Sequence, residues 1–432
     1  LKYAKFYKFK NNKFYNVDEL TILLKKISEW YENNGFPFAI IKLDSIQIQG
    51  DSIYASLFCD KQKEYKINTI KNHGNIELNT SVLEYLIDIK ENENYNEEKL
   101  KKIAERIERH NFIKTTKLSL VEFTEDSCKL NIFLDKKASN TFDGLIGFMP
   151  DYQNEDKINW TGELNLKLSN SFKFAEKLHL SWKKTDKLSQ DLNTSIEIPT
   201  IIIAPFGSAL NFKLHKADTS YIKIENNFIL HYYKGTTKTS AYLKTESSSL
   251  LSLEKYKNSI TALDNIDYKA KYFGLKIEFD NYDYYYNPSK GVGFEFDISA
   301  GVKEISKNPS LDEGLYKNIS LSQFRANIQG KLNYYQPISK NTSLLISNKS
   351  SHMLSENLFL NEMFRIGGLN LMRGFDENFF FASTFSIQTL EYLLIFGENS
   401  RLSVFADKGY IETKKQNSKQ IFRPLALGTG IT

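Results

Sequence analysis

Beyond Lys137 the apolar residues of this chain recur at every second position, and that period constrains the fold more than any other feature. In segment 293–302, Phe294, Phe296, Ile298, Ala300 and Val302 take one set of positions, and Glu295, Asp297, Ser299 and Gly301 take the other. Leu210, Phe212 and Leu214 alternate with Asn211, Lys213 and His215, and Leu164, Leu166 and Leu168 alternate with Asn165, Lys167 and Ser169. Successive side chains of a strand point to opposite faces, so each segment reads as a strand with one apolar and one polar side. A soluble sandwich would alternate too, with its polar side toward water. Two features favour a transmembrane antiparallel β-barrel: the strands are long and numerous, and no helical pattern remains to cover a sheet. At about 10 residues per spanning strand plus turns and loops, the region suits roughly 16 strands in the intact protein. About fourteen can be placed, the last at 425–432. An open barrel in lipid would leave edge hydrogen bonds unpaired, so a closing hairpin is expected beyond the given chain.

Composition fits this reading. A barrel that alternates lipid-facing and lumen-facing residues keeps its mean hydropathy low, and here it is negative. No apolar run approaches the roughly 18 residues of a spanning helix; among the longest is Ile201-Ile202-Ile203-Ala204. A helical membrane protein is thereby excluded. Aromatic residues make up 14%, which suits strands and the interfacial girdles of barrels. The net charge of +5 is modest, and the lysines are spread rather than clustered, so no nucleic-acid partner is expected. The chain begins at Leu1 with no signal-peptide pattern, as expected of a mature or trimmed chain.

Before Lys137 the period changes. In segment 16–34, Leu20, Leu23, Leu24, Ile27, Trp30 and Tyr31 have helical spacing, with Gly35 at the stop position. A hairpin follows, with strands at 38–48 and 53–59 around Gly50-Asp51. The pattern recurs as a helix at 95–111 and strands at 113–123 and 128–134. At an offset of 75, Asp51-Ser52 matches Asp126-Ser127, Phe58 matches Phe133, and Asp60-Lys61 matches Asp135-Lys136. At an offset of 80, Tyr15-Asn16 and Leu20 match Tyr95-Asn96 and Leu100. The second copy carries an additional strand at 65–70 and a short helix at 81–89, giving the order strand, helix, helix, strand, strand. The equivalent strand of the first copy falls before Leu1, so the chain is expected to begin inside its first repeat. Cys59 and Cys128 occupy equivalent strands and are expected to be buried and unpaired.

One stretch exceeds what barrel architecture requires. Between strands near 342–347 and 383–396 lies a long connection containing Phe364-Arg365-Ile366-Gly367-Gly368-Leu369-Asn370-Leu371-Met372-Arg373-Gly374-Phe375. Loops this long are usually functional, and this one is too apolar to sit in water. It resembles the lumenal loop of the BamA/TamA superfamily of outer-membrane insertases and translocases, whose loop carries an Arg-Gly-Phe/Tyr motif. Three further segments resemble the same superfamily in the same order: Phe279-Asp280-Asn281 through Asn287-Pro288-Ser289-Lys290-Gly291, Leu390-Glu391-Tyr392, and Val404-Phe405-Ala406-Asp407-Lys408-Gly409. The repeat order matches its α/β POTRA domains. The resemblance thus covers the whole chain, with a partial POTRA-like domain at 1–62, a POTRA domain at 63–137 and an outer-membrane barrel at 138–432, of which 350–381 is the lumenal loop. Met372 departs from the pattern, which has a small or β-branched residue before the arginine.

The resemblance implies that Arg373 pairs with Asp407, with Glu391 as a second acceptor. A guanidinium donates two parallel bonds to one carboxylate, which lysine cannot reproduce. Gly367, Gly368 and Gly374 would let the backbone turn, and Phe375 would wedge against the wall. On the first barrel strand, 141–149, Gly144 and Gly147 would weaken packing at a seam able to template an incoming strand. The partners implied are unfolded outer-membrane or exported clients, periplasmic accessory proteins or lipoproteins bound through the POTRA domains, and the lipid bilayer. Alternatives are a dedicated two-partner-type secretion pore and a passive porin or receptor barrel; the last would need neither repeats nor the loop. An enzyme is not expected. His73, His110, His179, His215, His231 and His352 are scattered without metal-site spacing, and Gly235-Thr236-Thr237-Lys238 lacks the second glycine of a phosphate loop. No cofactor or metal is expected.

Overall fold

The computed structural model describes residues 15–125, 127–150, 158–184, 189–200, 205–254, 263–397, 400–415 and 418–432. Asp126 of the repeat match and the run 201–204 lie outside these residues. The chain divides into two compact units, one of the residues up to Ile76 with Leu86–Lys137, the other of Glu77–Tyr85 with Ala138–Thr432.

In the first unit, helix α1 (Val17–Glu32) starts where the Asn16 side chain accepts a hydrogen bond from the Glu19 amide at 2.7 Å. Strands β1 (Ile40–Gln49) and β2 (Ser52–Asp60) form an antiparallel hairpin that turns at Gly50 in the left-handed region. The second copy comprises β3 (Ile67–Asn72), α2 (Thr80–Ile87), α3 (Glu97–Lys101), α4 (Ile103–Glu108), β4 (Ile113–Thr115), β5 (Leu120–Phe123), β6 (Cys128–Ile132) and β7 (Leu134–Lys136). Helix α2 begins in the second unit and ends in the first. Strand β3 pairs parallel with β6, and β5 pairs antiparallel with it. A parallel pair needs a long crossover, and the helices supply it. Asn96 caps α3 through the Lys99 amide at 2.8 Å, so the residues aligned at an offset of 80 do the same work. The single helix expected at 95–111 is interrupted at Lys102. Ile67, Leu86, Ile87, Ile103, Ile107, Phe112 and Leu130 form the buried interior.

The expectation for the cysteines holds for Cys128, which is buried in β6, and fails for Cys59, which is exposed on β2. The physical reason is the sheet. Strand β6 lies between β3 and β5, whereas β1 and β2 form a separate two-stranded sheet.

Among the described residues, the second unit is built on one antiparallel sheet of 15 strands. In chain order these are β8 (Thr141–Pro150), β9 (Ile158–Ser169), β10 (Lys177–Lys184), β11 (Gln190–Ile198), β12 (Phe206–Ala217), β13 (Tyr221–Lys234), β14 (Thr237–Leu250), β15 (Tyr268–Asp280), β16 (Gly291–Ile305), β17 (Ser322–Ser339) and β18 (Thr342–Ser355). A small separate hairpin, β19 (Phe364–Ile366) with β20 (Phe380–Ala382), intervenes before β21 (Thr384–Gly397), β22 (Ser400–Lys415), β23 (Ser418–Phe422) and β24 (Leu425–Ile431). Neighbours in sequence pair in the sheet, and β18 pairs with β21 across the inserted hairpin. Strands β23 and β24 share the far edge of β22 and are interrupted at Arg423-Pro424, where the Gly409 amide donates to the Pro424 carbonyl at 2.9 Å. Among the described residues the sheet is not closed, and β8 is its other edge.

Burial separates a membrane wall from a soluble sandwich. On β16, Phe296 is 46% exposed and its row-mates Phe294, Ile298 and Val302 are likewise exposed, while Lys303 on the opposite face is 0% exposed. The apolar rows face outward and the polar rows inward, an arrangement that lipid satisfies and water does not. Among the described residues no helix is long and apolar enough to cross a membrane. The unit is a transmembrane antiparallel β-barrel wall.

The connection after β18 differs from the expected 350–381. Strand β18 continues to Ser355 and β21 starts at Thr384, so the connection is 356–383. Ser347, Asn348, Lys349, Ser350 and Ser351 interrupt the alternation and hide the strand in the sequence: odd positions face the lumen, which needs no apolar residues, and Asn348 and Ser350 leave the outward row polar as well.

Candidate functional site

Loop 356–383 folds onto the inner face of the wall. Its tip turns on glycines that no other residue replaces freely. Gly367 has φ +139°, and a Cβ there would stand 2.1 Å from the Asp376 carbonyl oxygen. Gly374 has φ +82° and faces Ala426 of β24, whose Cβ would lie 3.2 Å from an added one. The tip is closed by the Gly368 amide donating to the Phe375 carbonyl at 3.0 Å and the Met372 amide donating to the Gly368 carbonyl at 3.2 Å. Gly368 is also left-handed, at φ +80°.

This turn presents Arg373 to the wall. Its Nε donates to Asp407 Oδ2 and its Nη2 to Asp407 Oδ1, both at 2.7 Å, while Nη1 donates to Glu391 Oε2 at 2.9 Å. The parallel pair on one carboxylate sets the plane as well as the position of the guanidinium. Asp407 belongs to β22 and Glu391 to β21, and both are buried on the inner face. Thr389, opposite Asp407 in the register, donates its hydroxyl to Asp407 Oδ1 at 2.7 Å. The guanidinium also lies 3.4 Å from the centre of the Phe405 ring, a cation–π contact. Phe405 shares the inward row with Asp407, and its ring covers Gly428 of β24.

Beside the clasp, Met372 is fully buried with Ile366, Phe380, Ala382, Phe385, Ile387 and Ile411, and Phe375 packs against this cluster. Gly409 leaves room for Met372, whose sulfur lies 3.5 Å from the position of an added Cβ. The departure at Met372 is thus accommodated by the wall. The loop also reaches β10 through Glu377 and Lys183 at 2.9 Å, and β13 through Arg365, which bonds the Tyr221 hydroxyl.

The structure therefore brings together Arg373, Asp407 and Glu391, with Gly367, Gly368, Gly374 and Phe375 in the turn that presents the arginine. Gly144 and Gly147 take no part in this contact. They lie on β8 opposite Leu164 and Thr161, in a register unbroken from Thr141 to Pro150, so neither marks a bulge. Sequence reasoning missed the roles of Phe405 and Thr389. Their signal was parity alone, since Phe405 stands two residues before Asp407 and so shares its face. Among the described residues no group of His, Cys, Asp and Glu side chains could hold a metal ion.

The fold and this clasp define a membrane-spanning β-barrel whose wall grips an inward-folded loop. Residues 134–432 match the Omp85 superfamily domain, and residues 65–137 match the surface antigen variable number repeat, a POTRA domain. The chain belongs to the Omp85 superfamily. Among solved structures, CdiB from Escherichia coli aligns with a TM-score of 0.58 at 14% identity, covering 98% of this chain and 79% of that one. CdiB from Acinetobacter baumannii aligns at 0.55 and 15%, covering 97% and 76%. BamA from Haemophilus ducreyi lacking POTRA domains 1–3 aligns at 0.45 and 15%, covering 93% and 82%. No curated protein matches the sequence. As an Omp85 barrel with a POTRA domain, the protein is an outer-membrane insertase or translocase.

Proposed function

We propose that this protein inserts or translocates client proteins through a barrel seam that opens laterally, with loop 356–383 holding the wall in its working arrangement. One observation carries the reading. The Arg373 fork is seated on β22, the strand that pairs with β23 and β24, and Gly374 meets Ala426, which is the register partner of Asp407. The loop tip is thereby tied to both β22 and β24 of the wall. A free strand edge carries unpaired amides and carbonyls and can template an incoming strand. At the opposite edge, Gly144 and Gly147 on β8 would lower the cost of parting. The role of the clasp is mechanical: it positions the wall and does no chemistry. The POTRA repeats would lie in the periplasm, where their strands offer docking edges to extended clients, accessory proteins or lipoproteins.

Depletion followed by an inventory of the outer membrane tests the proposal. Loss of many barrels supports a general insertase. Loss of one exported protein supports a dedicated secretion pore. An unchanged outer membrane and secretome would overturn both.

A further inference from the structure

We propose that Glu362 is a positioning residue, a second clasp that fixes the root of loop 356–383. When the Arg373 fork opens, the loop then pivots about residues 357–362 and does not leave the lumen. The inference rests on the reading that the loop works from inside the barrel.

Four elements meet at this root. Lys303 of β16, Arg325 of β17 and Glu246 of β14 project inward and are all buried, and Glu362 enters from the loop with its side chain 0% exposed. One Glu362 oxygen accepts from Lys303 Nζ at 3.1 Å and from Arg325 Nη1 at 3.2 Å. The other accepts from Lys303 Nζ at 3.2 Å and from the Phe359 amide at 3.0 Å. Arg325 Nη1 also reaches Glu246 at 3.4 Å, but that carboxylate is already engaged by Lys244 at 2.7 Å. The backbone of the root is tied in as well. Lys303 donates to the Asn357 carbonyl at 2.7 Å, and the Asn357 amide donates to Gln323 at 3.0 Å. The Asn361 side chain donates to Ser248 at 2.9 Å and to the Ile266 carbonyl at 2.8 Å. Phe359, fully buried with Leu263, Ile266, Tyr268 and Tyr272, keeps the root dry.

The two clasps differ in what their release leaves behind. Withdrawing Glu362 would leave buried Lys303 without the carboxylate it bonds and Arg325 with only Glu246, which Lys244 already engages, and that is strongly unfavourable. Withdrawing Arg373 also leaves two buried carboxylates, but Asp407 keeps the Thr389 hydroxyl, and the departing guanidinium is already 20% exposed to a lumen where water can solvate it. The tip is the end built to release, and the root is the end built to hold.

Maleimide labelling tests this in the intact barrel in outer-membrane vesicles, after Cys59→Ser and Cys128→Ala. Met372→Cys reports on the tip and Leu358→Cys on the root, both at buried positions. Arg373→Ala should speed labelling at the tip by about tenfold or more and leave the root protected, as expected of separable local openings. Glu362→Gln should open the root, and Glu362→Asp, which keeps the charge, should label more slowly than Glu362→Gln. Heat-modifiable migration on gels confirms that each barrel is folded. A root that stays protected in folded Glu362→Gln, or a root exposed as fully as the tip in Arg373→Ala, would overturn the proposal. The second outcome decides the matter even if Glu362→Gln does not fold. Because labelling needs no client, the proposed function can fail in the depletion experiment while this result stands, and the reverse.

Discussion

Arg373 and Asp407 face each other as a guanidinium fork on a single carboxylate, with both bonds at 2.7 Å and the arginine resting on the Phe405 ring. The pair joins a loop tip to strand β22 of the wall, so its geometry bears on the loop and the wall together.

Arg373→Lys keeps the charge but loses the parallel pair, and Arg373→Ala leaves two inward carboxylates without their cation. Removing one partner of a buried pair costs about 3–5 kcal/mol, and the partial exposure of Arg373 lowers that range. Urea unfolding of the barrel in liposomes should rank wild type above Arg373→Lys and Arg373→Lys above Arg373→Ala. Equal midpoints for the lysine variant and wild type would count against the fork.

Phe405→Leu removes the ring beneath the guanidinium while keeping an apolar side chain. A cation–π contact contributes about 0.5–2 kcal/mol depending on desolvation. A double-mutant cycle with Arg373→Lys, read by the same unfolding midpoints, should show a coupling in that range. Strict additivity would reduce Phe405 to a space-filling role over Gly428.

Two glycines with positive φ should respond differently to alanine. At Gly367 the added Cβ would meet the Asp376 carbonyl at 2.1 Å, so Gly367→Ala must displace the loop tip. At Gly50 nothing lies within 4 Å of the added atom, so Gly50→Ala costs only the left-handed conformation, about 1–2 kcal/mol. Limited proteolysis should detect a loosened loop in Gly367→Ala and an unaltered one in Gly50→Ala.

A lysine on the outward face of the wall should cost more than one on the inward face of a neighbouring strand. Ile298→Lys places a charge in lipid, at about 2–4 kcal/mol near the bilayer midplane, whereas Gln329→Lys joins a polar lumen. The yield of folded barrel in liposomes should fall for the first and hold for the second. The opposite ranking would indicate that the outward rows do not face lipid.

The two thiols should be told apart by alkylation. Cys59 is exposed and should react in the folded protein, while Cys128 should wait for unfolding. Burial also pushes the Cys128 thiol up to about 11, from an ordinary value of 9.0. The folded chain therefore keeps a proton that the unfolded chain releases, so this contribution to stability is present below pH 9.0 and is lost as pH rises toward about 11. Midpoints of unfolding for the first unit should fall across that window in wild type and fall less in Cys128→Ala.

Much of this architecture was legible from local pattern. Alternation in 293–302 assigned each residue to a face, because a strand has a period of two whatever surrounds it. The asparagines at 16 and 96 marked helix starts, because capping involves only the next few amides. The resemblance carried by Arg373-Gly374-Phe375 and the segment around Asp407, not local pattern, pointed to the clasp. Face alone does not name a partner, however. Thr389 and Phe405 became part of the site through the register of β21 against β22, and Cys59 parted from Cys128 because only one of their strands is covered.

By itself, then, the sequence determined the strand faces and helix starts, since each depends on neighbours a few residues apart; self-comparison added the repeat, and the resemblance added the barrel class and the tip of the loop. Only the tertiary structure decided the root. Glu246, Lys303, Arg325 and Glu362 come from four separate elements with no spacing to connect them. Their meeting depends on how strands align across the sheet and how a long loop folds back, and those are cooperative properties of the whole wall.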